Sequence, residues 1–244
     1  MFKASIFTFK ITQIIKKIKY SFLFISLFHF NFLVGQEGNY FITNYSSNEY
    51  NGAVQNFDVI QDNFGLLYFA NNNFILEYNG KIWQNIGLTD GGKTPTSFAK
   101  SKNGTIYVGG ENEIGFLDKD STGKIFYKSF KNLLNKNERD FNQVWNTLII
   151  GDAIFYCSNE RIIRYRNGKI KTWEPKTSFH KAQIVNGMLL VREVDRGLFF
   201  LKGNNLEKII GSDLLAQPEY KIAFFLPTQN KNKIFSNYTQ ERCF

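Results

Sequence analysis

Cysteine is nearly absent from the 244 residues: only Cys157 and Cys243 occur. A small exported domain stapled by disulfides carries more, so stability has to come from packing. Histidine is as scarce. His29 lies in an N-terminal hydrophobic stretch, which leaves His180 alone in the rest of the chain. Neither a His-rich nor a Cys₂His₂ metal site can be built from that supply, and no metal or cofactor is expected. Four prolines and 19 glycines are too few for a collagen-like or low-complexity chain. The first 35 residues contain no acid. Their apolar stretch also falls short of the ~20 residues that a spanning helix needs.

What is present is aromatic. Aromatics make up 17% of the chain, with 26 Phe, inside an apolar fraction of 43%. Such side chains suit pleated, half-buried surfaces, and the expectation is an all-β fold. The net charge of +9 has a local origin, because Lys3, Lys10, Lys16, Lys17 and Lys19 crowd the N-terminus. The remainder carries 25 basic against 21 acidic residues with no basic cluster interleaved with stacking aromatics, so no nucleic-acid partner is expected. Those lysines precede Ser21-Phe22-Leu23-Phe24-Ile25-Ser26-Leu27-Phe28, and the stretch runs on through His29 and Asn31 to Gly35. A basic start, a short apolar core and a small residue describe a secretory signal peptide over residues 1–35. An uncleaved anchor is the alternative, and would be the chain's one contact with a membrane. Either way the protein is expected to be exported, to the periplasm or the cell surface.

A phrase returns along the rest of the chain: a turn ending in Gly, an aromatic-aliphatic strand, a polar gap and a second apolar strand. It appears as Asp62-Asn63-Phe64-Gly65-Leu66-Leu67-Tyr68-Phe69 with Phe74-Ile75-Leu76-Glu77-Tyr78, and again as Asn103-Gly104-Thr105-Ile106-Tyr107-Val108-Gly109 with Ile114-Gly115-Phe116-Leu117. Looser copies centre on Phe155 and Leu190, so successive copies start 39, 48 and 35 residues apart. A period near 40 is that of four-stranded propeller blades, each of which needs neighbours to bury its two faces. Strands are expected over residues 57–60, 67–70, 74–78 and 81–85 in the first blade. The next three blades are expected over 96–130, 144–173 and 181–210, with a polar excursion at 131–136. Asn-Gly at 79, 103, 167 and 186 supplies hairpin turns. A fifth blade begins at Ile222 and the pattern then stops, so the expectation is an incomplete β-propeller over residues 56–244 behind a lead-in at 36–55.

The Asp62-x-x-Gly65-x-x-Tyr68 pattern closing in Tyr78-Asn79-Gly80, and Gly104-x-Ile106-Tyr107-Val108-Gly109-Gly110, resemble the two-component regulator propeller repeat. Asn44-Tyr45 and Gln55-Asn56-Phe57, ahead of the first blade, are similar to the start of Bacteroidetes-type sensor-regulators, and the resemblance as a whole covers roughly residues 36–235. Tyr68, Tyr107 and Phe155 replace the Trp usual in the family's second strand. The resemblance implies a sensory propeller that precedes a triple-tyrosine domain, a transmembrane helix and a kinase or DNA-binding output. None of those segments is recognisable here. The implied function is a non-catalytic sensor-domain fragment that binds an extracellular oligosaccharide or small ligand. Two alternatives stand beside it: a self-contained secreted scaffold or adhesin that self-associates through open blade edges, and an exported carbohydrate-active propeller enzyme.

Propellers bind ligands where the loops entering the innermost strands converge on the central channel. The candidates there are Gln55-Asn56, Asn142-Gln143-Trp145 and His180. Trp145 can stack on a sugar ring or pack between blades, and His180 can contact a ligand or simply enter a blade. Trp83 and Trp173, on outer strands, are expected to be structural, and Cys157 to be a small buried hydrophobe. Asp58, Asp62, Glu77, Asp118 and Asp152 fall at turns or strand edges and read as solvated or turn-forming. One literal motif, Gly87-Leu88-Thr89-Asp90-Gly91-Gly92-Lys93-Thr94, fits a phosphate-binding loop. That loop works only at a helix N-terminus, and Pro95 follows at once, so an inter-blade loop is expected.

Overall fold

The computed structural model describes residues 17–21, 42–88, 93–217, 220–227 and 234–240. The chain divides into two units, Met1–Asn44 and Tyr45–Phe244. In the first, residues 17–21 are helical; the rest of the expected signal segment lies outside the described residues. Among the described residues no helix is long and apolar enough to cross a membrane. The second unit begins inside the expected lead-in.

That unit is built from antiparallel meanders. Blade 1 holds β1 (Asn56–Gln61), β2 (Leu67–Asn71), β3 (Ile75–Tyr78) and β4 (Trp83–Ile86). Blade 2 holds β5 (Pro95–Lys100), β6 (Ile106–Gly110), β7 (Glu113–Lys119) and β8 (Ile125–Ser129). Blade 3 is β9 (Asn146–Ile150), β10 (Ala153–Cys157), β11 (Ile162–Arg166) and β12 (Lys169–Trp173). Blade 4 is β13 (Phe179–Val185), β14 (Met188–Glu193), β15 (Gly197–Lys202) and β16 (Asn205–Lys208). A two-stranded sheet follows, β17 (Tyr220–Pro227) with β18 (Ile234–Gln240). Four blades and the start of a fifth therefore stand where the repeat places them.

The Asn-Gly pairs divide into two kinds. Asn167-Gly168 and Asn186-Gly187 have positive φ at both residues and close two-residue hairpins, Arg166 facing Lys169 and Val185 facing Met188. At Asn79 the side-chain oxygen instead accepts the N–H groups of Lys81 and Ile82 at 3.0 and 2.8 Å. This local bond draws both residues into the turn, and β4 starts at Trp83 rather than at residue 81.

The core lies in the seams between blades, and the second strands supply much of it. Every residue of β10 is buried. Ala153, Phe155 and Cys157 face Phe179, Ala182, Leu189 and Val191 of blade 4. Ile154 and Tyr156 face the other way, toward Ile114 and Val144. Tyr68, Ala70 and Ile75 meet Phe98, Ile106 and Val108 across the first seam, and Leu190 and Leu198 meet Phe225 across the last. Burial of each such side chain is worth about 1.5–3 kcal/mol, which explains why the period is kept. The excursion at 131–136 is less polar in space than in sequence. It forms 3₁₀ turns at Lys131–Leu133 and Lys136–Glu138, and between them Leu134 inserts into the second seam beside Phe130 and Phe141.

Residues 45–55 cover the face of blade 1 turned away from blade 2. The short helix α1 (Ser47–Tyr50) carries a capping box, with the Glu49 carboxylate accepting from the Ser46 N–H and hydroxyl at 2.6 and 2.8 Å. Tyr45 and Tyr50 pack edge-on and tilted against Trp83, which also stacks on Tyr78 with 4.2 Å between centroids. Fully buried Asn71 clasps this segment to the blade. Its amide donates to the carbonyls of Ala53 (2.7 Å) and Gln55 (3.2 Å) and to Asn56 Oδ1 (2.9 Å), while its oxygen accepts Ala53 N–H.

Candidate functional site

The innermost strands β1, β5, β9, β13 and β17 are neighbours in that order, and all begin at the same rim. Near that rim the pairing of inner with second strand slips by one residue. The shifts fall between Asn56 and Asp58, Pro95 and Ser97, Phe179 and Lys181, and Ile222 and Phe224. Each is a β-bulge, which leaves one residue unpaired and re-aims its side chain. In blade 3 the Trp145 N–H donates to the Cys157 carbonyl at 2.9 Å, while Asn146 is the residue paired with Cys157. Trp145 thus occupies the place that Phe57, Thr96 and His180 occupy in the other blades.

The outcome differs from blade to blade. Thr96 is buried and donates its hydroxyl to the Val144 carbonyl, joining blades 2 and 3. Trp145, by contrast, is 48% exposed. The indole is half-covered at the seam, one part lining the space between blades 3 and 4 and the rest facing solvent. His180 is exposed as well, and both line one cleft between blades 3 and 4, with Asn159 and Lys181 at its edge and Cys157 and Phe179 in its floor. The cleft encloses about 10 Å³, room for a single water, so recognition there is a surface matter. Asn56 lies in blade 1 and does not line this cleft; its side chain belongs to the Asn71 clasp. Asn142 and Gln143 are structural links. Asn142 donates to Glu160 at 2.9 Å and accepts the Asn112 N–H, and Gln143 bridges Glu111.

Cys157, in the floor, is 4% exposed, and burial pushes its thiol up to about 12. A thiol so far above its ordinary value is not a nucleophile at neutral pH. The native protein at pH 8 is accordingly expected to leave Cys157 unlabelled by iodoacetamide in peptide mass spectra, with full labelling in denaturant. Labelling in native buffer at the rate of a free thiol would contradict the buried placement.

The carboxylates singled out in sequence have varied tasks. Asp58 joins blades, its Oδ2 accepting the Phe98 N–H at 2.7 Å. Asp62 Oδ1 accepts from Phe64 and Leu66 and shapes the first turn. Asp118 pairs with Lys128 at 3.3 Å, and Asp152 pairs with Arg166 at 2.9 Å, which holds its carboxyl below the usual range. Burial pushes Glu77 up. Sequence reasoning missed four buried charges. Glu113 accepts from the Tyr127 and Ser129 hydroxyls at 3.2 and 2.8 Å. Glu193 accepts from the amides of Lys176 and Thr177 and pairs with Arg196 at 2.8 Å. Arg161 pairs with Glu174 at 2.6 Å, and Arg192 donates to main-chain carbonyls of residues 215–217. The visible signal was Arg192-Glu193 ending an apolar strand. Of the phosphate-loop match, residues 89–92 lie outside the described residues. Pro95 opens a strand rather than a helix, and the Thr94 hydroxyl donates to the Asn72 carbonyl at 2.6 Å.

Blades of four antiparallel strands, stacked about their first strands, define a β-propeller. Solved structures share the fold at low identity. The extracellular domain of the putative hybrid two-component system BT3049 from B. thetaiotaomicron superposes with a TM-score of 0.57 at 14% identity, over 81% of this chain and 29% of that one. A catalytically inactive virginiamycin B lyase from Staphylococcus aureus, solved with quinupristin, gives 0.54 at 17% identity, over 83% of this chain and 75% of that one. The WD40 propeller domain of Doa1 gives 0.51 at 12% identity, over 74% and 61%. This chain thus spans less than a third of the two-component extracellular domain that it resembles. No family model matches, and no curated protein matches.

Proposed function

We propose that the chain is a sensory propeller module of an exported signalling receptor, which recognises an extracellular oligosaccharide or small ligand without transforming it. The observation that carries the reading is the rim of blades 3 and 4. There an indole just ahead of β9 and an imidazole at the β13 bulge both line one cleft. An aromatic face beside polar side chains suits a ligand with both apolar and hydrogen-bonding surfaces. The fold shared with the extracellular domain of a hybrid two-component system supports the same reading.

Calorimetric titration of the chain against a panel of oligosaccharides tests it. At least one is expected to bind saturably, with Trp145→Ala weakening it tenfold or more and leaving the melting temperature unchanged. Binding that ignores Trp145, or no binding at all, would overturn the rim as the site. The likeness to a lyase sets the second arm. Product formed from any bound ligand, abolished by His180→Ala, would make the chain an enzyme instead.

A further inference from the structure

A second cavity lies at the opposite rim, where the innermost strands end. It encloses about 290 Å³ between blades 1 and 2, bounded by the β1–β2 turn, the β5–β6 turn and the end of β7. That volume is at the lower end of small-molecule sites, roughly 300–1,000 Å³. Its inner wall is apolar, formed by Ile106, Leu117 and Ile125. Its mouth holds Phe64, which is 83% exposed, with the Lys119 ammonium 5.2 Å from the ring centroid.

The charges in this cavity are of both signs, and two are not neutralised by ion pairs. Asp118 pairs with Lys128, but neither Asp62 nor Lys119 forms a salt bridge among the described residues. Asp62 uses Oδ1 for the turn amides and leaves Oδ2 available. The Lys119 ammonium lies over Phe64, two residues after Asp62 in the same turn, so both charges face one cavity. A purely cationic or anionic ligand meets one of them repulsively. A ligand with an ammonium and a carboxylate at one end and an apolar body satisfies both, and covers the inner wall.

We propose that the cavity between blades 1 and 2 binds a small zwitterion of the apolar α-amino acid class, its ammonium on Asp62, its carboxylate on Lys119 and its side chain against Phe64 and Ile106. This site is separate from the rim of blades 3 and 4 and does not depend on it.

Calorimetric titration of the full chain tests the assignment with L-phenylalanine and L-leucine, phenylalanine amide, N-acetylphenylalanine and glucose. The two zwitterions are expected to bind, and blocking either charge should weaken binding at least tenfold. Asp62→Asn keeps an oxygen for the turn amides and Lys119→Met alters an exposed side chain; each should cause the same tenfold loss. Trp145→Ala should change nothing here, which separates this site from the other rim. No binding of either amino acid, equal binding of the blocked compounds, or preference for glucose would each overturn the proposal. Should Asp62→Asn melt early, Lys119→Met with the blocked ligands decides alone.

Discussion

Gly115→Ala is expected to destabilise the protein by about 3 kcal/mol, although it adds one methyl group. A Cβ on Gly115 would stand 2.2 Å from the Lys128 carbonyl oxygen and 2.7 Å from two carbons of the Tyr127 ring. The first of these is backbone of the adjacent strand β8, so a rotamer change cannot relieve it. β8 has to move away from β7 and take the Tyr127 ring with it, which strains the bond from its hydroxyl to buried Glu113. The Gly115 carbonyl also accepts the fully buried Tyr156 hydroxyl at 2.7 Å, so the disturbance reaches blade 3. Gly87→Ala is the control, since its added Cβ would meet nothing within 4 Å. Urea unfolding of the two variants should show a large shift of midpoint for the first and a shift within about 0.5 kcal/mol for the second. Similar midpoints for both would mean that β8 does not lie where it is described.

Arg192→Leu should cost about 3–5 kcal/mol. The guanidinium is 1% exposed and donates Nε–H to the Leu215 carbonyl at 2.8 Å and Nη2–H to that of Gln217 at 2.6 Å. These are main-chain acceptors at the end of the 3₁₀ turn Asp213–Ala216. Leucine fills part of the space but removes the charged donor from the partly buried Leu215 and Gln217 carbonyls, and the loss of these charge-assisted bonds is the larger part of the cost. Lysine should recover only some of it, because a single ammonium cannot serve carbonyls spread along a planar fork. Hydrogen exchange should place the loss locally, with protection falling first across residues 213–217. A loss spread evenly over all blades would contradict this.

How far the fold was legible depends on the range of the interaction. Hairpins were, because Asn-Gly pairs and alternating apolar residues act between near neighbours. Cys157 was read as a buried hydrophobe and is one. The seams were legible only as a requirement: the period says that each blade needs a neighbour, but not that Tyr156 reaches Gly115 or Asp58 reaches Phe98. Bulges left no trace, since one extra residue in a strand of six leaves the apolar alternation nearly intact. Consequently the half-exposed setting of Trp145 could not be read, and packing between blades stood as the favoured outcome. The cavity between blades 1 and 2 escaped for a related reason. Asp62 and Lys119 are 57 residues apart and line one cavity only because the first turn and the end of β7 share a rim.

The aromatic cover on blade 1 gives the molecule a built-in optical label. Its three tryptophans sit in three different settings. Trp83 is ringed by Tyr45, Tyr50, Tyr78 and Phe69 with centroids 4.2–5.5 Å away, so excitation absorbed by those tyrosines should pass to it. Trp173 is held by its Nε1–H on the Asn204 carbonyl at 2.8 Å, while Trp145 faces solvent. The part of that emission fed by Tyr45 and Tyr50 therefore reports whether residues 45–55 remain on the blade, while Tyr78 on β3 stays beside Trp83. The red edge of the spectrum reports the rim, and the two can be followed in one cuvette without a dye.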